Sequence, residues 1–109
     1  MDREEIESEL ERLHAASYAW ALGRCGRDRE EAEDVLQESY VKLLDGRARF
    51  AGGSSFKTFL FGVIRRTAAE RRRRTWVRRN LLAAWGRSTL PLAEAPAGVD
   101  DGPAELWGA

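Results

Sequence analysis

The sequence predicts an all-α protein, a small three- to four-helix bundle with a flexible C-terminal tail. Apolar residues recur at spacings of three and four in three stretches, and glycines and capping residues separate those stretches. No stretch alternates apolar and polar residues convincingly enough to predict a strand. We expect a helical domain over residues 1–88. Residues 89–109 read as a linker or disordered tail, because they contain Pro91, Pro96 and Pro103.

The first helix is predicted from an apolar stripe that stops at glycines. Gly23 and Gly26 end it, since glycine favours the turn after a helix C-terminus. We expect one helix before them. Its stripe consists of Ile6, Leu10, Leu13, Ser17 and Trp20.

The second helix begins with a capping signal. Asp28 can accept a backbone N–H as N-cap, and Glu31 stands three positions later, as in a capping box. Gly46 ends the helix. Its apolar face carries Ala32, Leu36, Ser39, Tyr40 and Leu43.

A glycine- and serine-rich loop over residues 47–55 precedes the third helix. Ser54 or Ser55 caps this helix, which we expect to continue through an arginine-rich stretch to about Trp85. Its apolar face carries Phe56, Phe59, Leu60, Val63 and Thr67.

Charge is strongly segregated along the chain, although the formal net charge is zero. Residues 1–45 carry 6 basic and 13 acidic side chains, whereas residues 46–89 carry 12 basic side chains and only one acid, Glu70. Residues 90–109 carry four acids and no base. A basic block of this kind suits a polyanion such as nucleic acid.

No residue pattern predicts catalysis. His14 is the single histidine and lies one position off the first stripe, and the single cysteine, Cys25, has no partner at metal-ligand spacing. We therefore predict no enzyme activity, no cofactor and no metal site. One cysteine, no membrane-spanning apolar run and no signal peptide indicate a cytoplasmic protein without membrane insertion.

The basic side of the third helix is a candidate nucleic-acid surface. At about 100° per residue, Thr58, Arg65 and Arg72 align opposite the apolar face, and Arg66 and Arg73 form a row beside them. The alternative is a solvated cationic helix end.

Two further expectations concern the same helix. Phe61 is expected to lie exposed near the arginines, where it would stack on an unpaired base, the alternative being a lone exposed apolar residue. The four consecutive arginines over residues 71–74 point around most of the helix, so we expect it to project beyond the bundle near Ala68.

The second helix has an acidic face that suits docking onto a basic protein surface. The alternative is an ordinary solvent-facing surface. The face carries Asp34, Glu38, Val41 and Asp45, with Gln37 on its flank.

Two segments resemble region 2 of the extracytoplasmic-function (ECF) family of bacterial RNA polymerase sigma factors. Ala32–Leu44, AEDVLQESYVKLL, is similar to the polymerase-binding helix of that region. Phe50–Arg65, FAGGSSFKTFLFGVIR, is similar to the segment that follows it, typically F-x-G-x-S-S-F-x-T-W-L-Y-x-I-A-R. Leu10–Gly26 fits the preceding helix, so the resemblance covers about residues 6–75.

The resemblance implies a sigma-factor domain that starts transcription with two partners. One is core RNA polymerase, bound at its β′ coiled coil by Asp34, Gln37, Glu38 and Val41. The other is promoter DNA, whose −10 element is melted and held as a single nontemplate strand with a flipped base. The residues implied in DNA binding are Arg47, Phe50, Gly52, Ser54, Ser55, Lys57, Thr58, Phe61, Arg65, Arg66, Arg72 and Arg73.

Three positions depart from the family pattern: Phe59 stands where Trp is usual, Arg66 replaces a frequent Asn, and Glu70 replaces a frequent Asp. The −35-reading helix-turn-helix domain of complete factors is also missing from the chain. An excised domain, a one-domain factor and one half of a split factor all remain open.

Other functions also remain open. They are a polymerase-binding regulatory or split-sigma module that opens no promoter, and a nonspecific nucleic-acid binder. An anti-sigma factor or a separate −35-reading subunit are further partners to consider. A segment over residues 76–85 would then either pack on a partner or cover the protein's own bundle; its apolar members are Trp76, Val77, Leu81, Leu82 and Trp85. Leu106 and Trp107 in the tail form either a docking element or a frayed end.

Overall fold

The computed structural model describes residues 1–87, which form four α-helices and no strand. The helices are α1 (Arg3–Arg12), α2 (His14–Arg24), α3 (Arg29–Leu44) and α4 (Phe56–Arg87). The all-α prediction is confirmed. The chain divides into two compact units, Met1–Ala68 and Ala69–Ala109. The predicted linker or tail, with Leu106 and Trp107, lies outside the described residues.

The first predicted helix is two helices, so the expectation of one continuous helix is wrong. The break lies at Leu13, whose φ of −98° and ψ of 6° leave the helical region. The hydrogen-bond ladder passes through the break, because the Leu13 N–H donates to Glu9 O at 2.9 Å and the Ser17 N–H donates to Leu13 O at 2.8 Å. Leucine is a good helix former, so tertiary packing of the buried Leu13 is the physical reason we assign to the break.

The predicted stop of α2 is confirmed in detail. Gly26 adopts a left-handed φ of +62°, and the Arg27 N–H donates to Leu22 O at 2.9 Å, the closing bond of a Schellman motif. Gly23, by contrast, lies inside the helix. The helix therefore ends between the two predicted glycines, and the second one makes the turn.

Replacing Gly26 by alanine should lower the free energy of unfolding by about 1–2 kcal/mol, because an L-residue is strained at positive φ. The matched change Gly23→Ala should raise it by up to about 1 kcal/mol, since alanine favours the helix. A Cβ at either position meets no atom within 4 Å, so only the backbone differs. Urea unfolding followed by circular dichroism measures the free energy of unfolding of both variants. Equal changes for Gly26→Ala and Gly23→Ala would contradict the turn assigned to Gly26.

Helix α3 begins and ends as predicted. Asp28 Oδ1 accepts the Glu31 N–H at 3.1 Å, and Gly46 follows the last turn with a φ of +87°. A capping box that the sequence analysis missed starts α1, where Asp2 and Glu5 accept each other's backbone N–H at 2.8 and 2.9 Å. The S/T/D-x-x-E signal for it was present in the sequence.

Ser55 caps helix α4, which begins at Phe56. Its Oγ accepts the Thr58 N–H at 3.1 Å, so Ser55 rather than Ser54 is the cap. In the first unit Lys42 Nζ donates to Thr67 Oγ1 at 2.9 Å, which links α3 to α4. Helices α1 and α2 pack on α3. The core of this unit consists of Leu10, Leu13, Ala21, Ala32, Val35, Leu36, Leu43, Phe56, Leu60, Ile64 and Ala68.

In the second unit the described residues belong to the C-terminal part of α4. The Asn80 side chain donates to Trp76 O at 2.8 Å, within the helix. Val77, Leu81, Leu82 and Trp85 are exposed. The two interpretations of these residues, packing on a partner or covering the protein's own bundle, stay predictions.

No helix among the described residues is both long enough and apolar enough to cross a lipid bilayer.

Candidate functional site

The outer face of α3 presents the predicted acidic residues to solvent. Asp34, Gln37 and Asp45 are exposed, and Val41 among them is 45% exposed. Glu38 is half-buried, with its carboxylate 4.0 Å from Lys42 Nζ. These residues face outward because the opposite side of the helix fills the core with Ala32, Val35, Leu36, Ser39 and Leu43. Val35 is the member that the sequence analysis did not include.

The loop after α3 starts with a turn held by one carboxylate. Asp45 Oδ1 accepts the Arg47 N–H at 3.0 Å, and Oδ2 accepts Arg47 Nε at 2.9 Å. The backbone N–H, followed by the Arg47 side chain, holds the pKa of the Asp45 carboxyl below its ordinary value. Arg47, a predicted DNA contact, is thus engaged with its neighbour, but both side chains are about half exposed, so water weakens the pair.

The glycine and serine residues of the loop are exposed, as a contact surface requires. Gly52 has a φ of +88°, which only glycine adopts without strain. The Ser54 hydroxyl donates to Ser55 O at 3.0 Å, and the Ser55 hydroxyl donates to Thr58 Oγ1 at 3.0 Å. These hydroxyls therefore order the start of α4 as well as facing solvent.

Phe50 anchors the loop instead of standing free of the protein. It is half-buried, and its ring centroid lies 5.6 Å from Phe56 at 88° and 5.3 Å from Phe59. Edge-to-face contacts of this kind are favourable. The aromatic side chains that begin α4 thus hold one end of the loop in place.

A cavity of about 360 Å³ lies beside this loop. Most of its lining residues are apolar, and Arg49 is a cation among them. The sequence analysis did not single out Arg49, although its place in the loop and in the basic block was a usable signal. The lining residues are Met1, Ile6, Leu43, Gly46, Ala48, Arg49, Phe50 and Phe56.

Phe61 is not exposed, and the expectation that it stands open beside the arginines is wrong. Its ring stacks on Trp20 with centroids 5.0 Å apart and planes 16° from parallel, and Trp20 Nε1 donates to Phe61 O at 3.0 Å. Cations flank the pair, with Lys57 Nζ 5.6 Å from the Phe61 centroid and Arg24 Cζ 4.9 Å from the Trp20 centroid. The reason is tertiary: the ring of Trp20 in α2 stacks on one face of Phe61.

Helix α4 contributes three cations to the first unit, which are Lys57, Arg65 and Arg66. Arg65 is half-buried and Arg66 is exposed, and neither makes an ion pair or side-chain hydrogen bond within residues 1–87. Arg66 Nη1 passes 3.6 Å from the place a Cβ on Gly62 would take. Lys57 and Thr58 are exposed about two turns earlier. Arg72 and Arg73 are exposed residues of the second unit.

The described residues offer no cluster of His, Cys, Asp and Glu that could hold a metal ion. His14 is exposed, with Nδ1 3.0 Å from the Tyr40 hydroxyl. Burial raises the pKa of Tyr40. The contact joins α2 to α3.

Comparison with known proteins identifies the class to which this helical, charge-divided chain belongs. The family model for Sigma-70 region 2 matches residues 10–78, and the chain belongs to this family. Sigma-70 region 2 is a domain of transcription-initiation factors, which are not enzymes. The predicted family resemblance is confirmed.

A curated protein is similar to this chain over part of its length. The chain is 33% identical over 64 residues to the ECF RNA polymerase sigma factor SigX of Bacillus subtilis (strain 168), a match that covers 58% of this chain and 33% of that protein. The match thus spans a third of the curated relative's length. No solved structure matches the chain.

Proposed function

We propose that this chain binds core RNA polymerase through α3 and holds melted −10 promoter DNA with the loop after α3 and the first turns of α4. The observation that carries the proposal is that two exposed surfaces of opposite charge lie in one compact unit. Carboxylates line the outer face of α3, and Lys57 and Arg65 lie about 80° apart on one side of α4. Membership in the Sigma-70 region 2 family supports both contacts.

The α3 surface has the composition of a protein interface. Val41 offers an exposed apolar contact, and Asp34, Gln37 and Glu38 surround it with polar groups. An apolar centre with a charged rim gives both affinity and orientation. We assign the β′ coiled coil of the polymerase to this surface.

The α4 surface is suited to the phosphates of a single strand. Each guanidinium that replaces a condensed counterion strengthens binding and makes it depend on salt. Because Trp20 already stacks on one face of Phe61, we do not assign the unpaired base to Phe61. We place the unpaired base in the cavity beside the loop, where the half-buried Phe50 lies beside the cation Arg49.

The experiment is an anisotropy titration of a fluorescent nontemplate-strand oligonucleotide, repeated with the same sequence as a duplex. The chain should prefer the single strand, and Arg65→Ala should weaken binding several-fold and reduce the salt slope by about 0.7. Arg29→Ala, which removes an exposed arginine from α3, should change neither value. Equal affinity for strand and duplex, unaffected by Arg65→Ala, would instead indicate a nonspecific nucleic-acid binder. Absence of binding to either DNA would favour a polymerase-binding module that opens no promoter.

A further inference from the structure

The second unit carries an exposed apolar stripe on α4. Val77, Leu81 and Trp85 recur every fourth residue and are 42%, 41% and 80% exposed. At about 100° per residue, they fall within a sector of about 80° on one side of the helix. Isolated exposed apolar residues are ordinary, but a tryptophan, a leucine and a valine aligned over two turns form a surface.

Arginines border this stripe on both sides. Arg73 lies about 40° beyond Val77, and Arg78 lies about 20° beyond Trp85 on the other side. Both are exposed, and neither makes an ion pair or side-chain hydrogen bond within the described residues. The surface is therefore an apolar line between two cations.

Most of this stripe lies outside the part of the chain that the family shares. The family match ends at residue 78, so Leu81 and Trp85 fall beyond it. A function of the stripe is thus separate from the contacts assigned to α3, to the loop and to the start of α4.

We propose that this stripe binds an acidic amphipathic helix of another protein. A second helix can lay leucine-like side chains along Val77, Leu81 and Trp85 while carboxylates on both its flanks meet Arg73 and Arg78. Pairing the same stripe of two copies in parallel would bring like arginines together, which disfavours a parallel homodimer. A nucleic-acid backbone would gain nothing from the apolar line.

The test uses the full chain and a synthetic helical peptide of about three heptads, with leucine at a and d and glutamate at e and g. A matched peptide carries lysine in place of glutamate. The glutamate peptide should bind and the lysine peptide should not. Trp85→Ala and Leu81→Ala should each weaken binding about tenfold or more, as truncation of an aromatic or aliphatic anchor does.

Two control variants make the result specific. Leu82 is 65% exposed but lies about 60° outside the stripe, beyond Arg78, so Leu82→Ala should weaken binding much less than Leu81→Ala. Arg79→Ala, on the opposite side of the helix, should weaken binding less than Arg78→Ala. Circular dichroism of each variant checks that the helices are retained.

The proposal is overturned if both peptides bind equally, if neither binds, or if Leu82→Ala is as harmful as Leu81→Ala. Sedimentation showing a dimer that Trp85→Ala dissociates would assign the stripe to a second copy. Binding to anionic lipid vesicles in preference to the glutamate peptide would assign it to a membrane surface. None of these outcomes bears on polymerase or −10 DNA binding, whose tests use other residues.

Discussion

Replacing Asp34 and Gln37 together by alanine is expected to weaken binding of this chain to core RNA polymerase by about tenfold or more. Both side chains are exposed on α3 beside Val41, at the centre of the surface that we assign to the polymerase. Loss of a carboxylate and an amide there leaves the partner's polar groups unpaired. Because neither residue belongs to the core, the free energy of unfolding should change little.

The matched control for this pair is Glu33→Ala. Glu33 is also exposed on α3 and its removal changes the net charge by the same amount, but it points about 100° away from Asp34. Anisotropy of labelled chain titrated with core polymerase measures both variants at two salt concentrations. If Glu33→Ala weakens binding as much as the double change, general charge attraction rather than a docking face is responsible.

Leu60→Ala is expected to lower the free energy of unfolding by about 2–5 kcal/mol, the largest stability effect we predict. The side chain is 0% exposed in the core of the first unit, so its truncation both exposes apolar surface and leaves a cavity. A domain of this size has a total stability of about 5–15 kcal/mol. The variant should therefore unfold at a much lower urea concentration, and part of it should be unfolded at 37 °C.

Leu82→Ala is the control, because it removes the same atoms from a side chain that is 65% exposed. Its free energy of unfolding should stay within about 0.5 kcal/mol of that of the unchanged chain. Urea titration followed by circular dichroism compares the two. A loss at Leu60 no larger than the loss at Leu82 would mean that the core described for the first unit is wrong.

The sequence predicted those features of the fold that local chemistry decides. Gly26 and Gly46 end helices because only glycine tolerates positive φ freely, and Asp28 starts one because its carboxylate reaches a backbone N–H. Such interactions involve residues a few positions apart. They can be predicted without knowing which helix packs on which.

The sequence analysis failed where a distant residue decides the outcome. Trp20 and Phe61 are 41 positions apart, and no periodicity in either helix indicates that one ring covers the other. The ring contacts of Phe50 with Phe56 and Phe59 of α4 were likewise not predicted, because they are tertiary. The break at Leu13 also has no local signal, because leucine favours a helix.

The exposed face of α3 was predictable from its periodicity, whereas the cavity was not. Asp34, Gln37 and Val41 follow from the helical repeat once the apolar side is known. The cavity brings Met1 and Ile6 near Arg49, and only the folded chain places these residues together. Arg49 was consequently missed.

The hydrogen bond from Trp20 to the backbone of α4 makes the fluorescence of this indole sensitive to changes at the start of α4. Tryptophan emission responds to loss of an N–H hydrogen bond and to nearby cations, and Lys57 and Arg24 lie on either side of the stacked rings. A bound nucleic-acid strand that drew Lys57 away from the Phe61 ring would change the fluorescence of Trp20. Trp20 lies in α2, an element to which we assign no ligand contact.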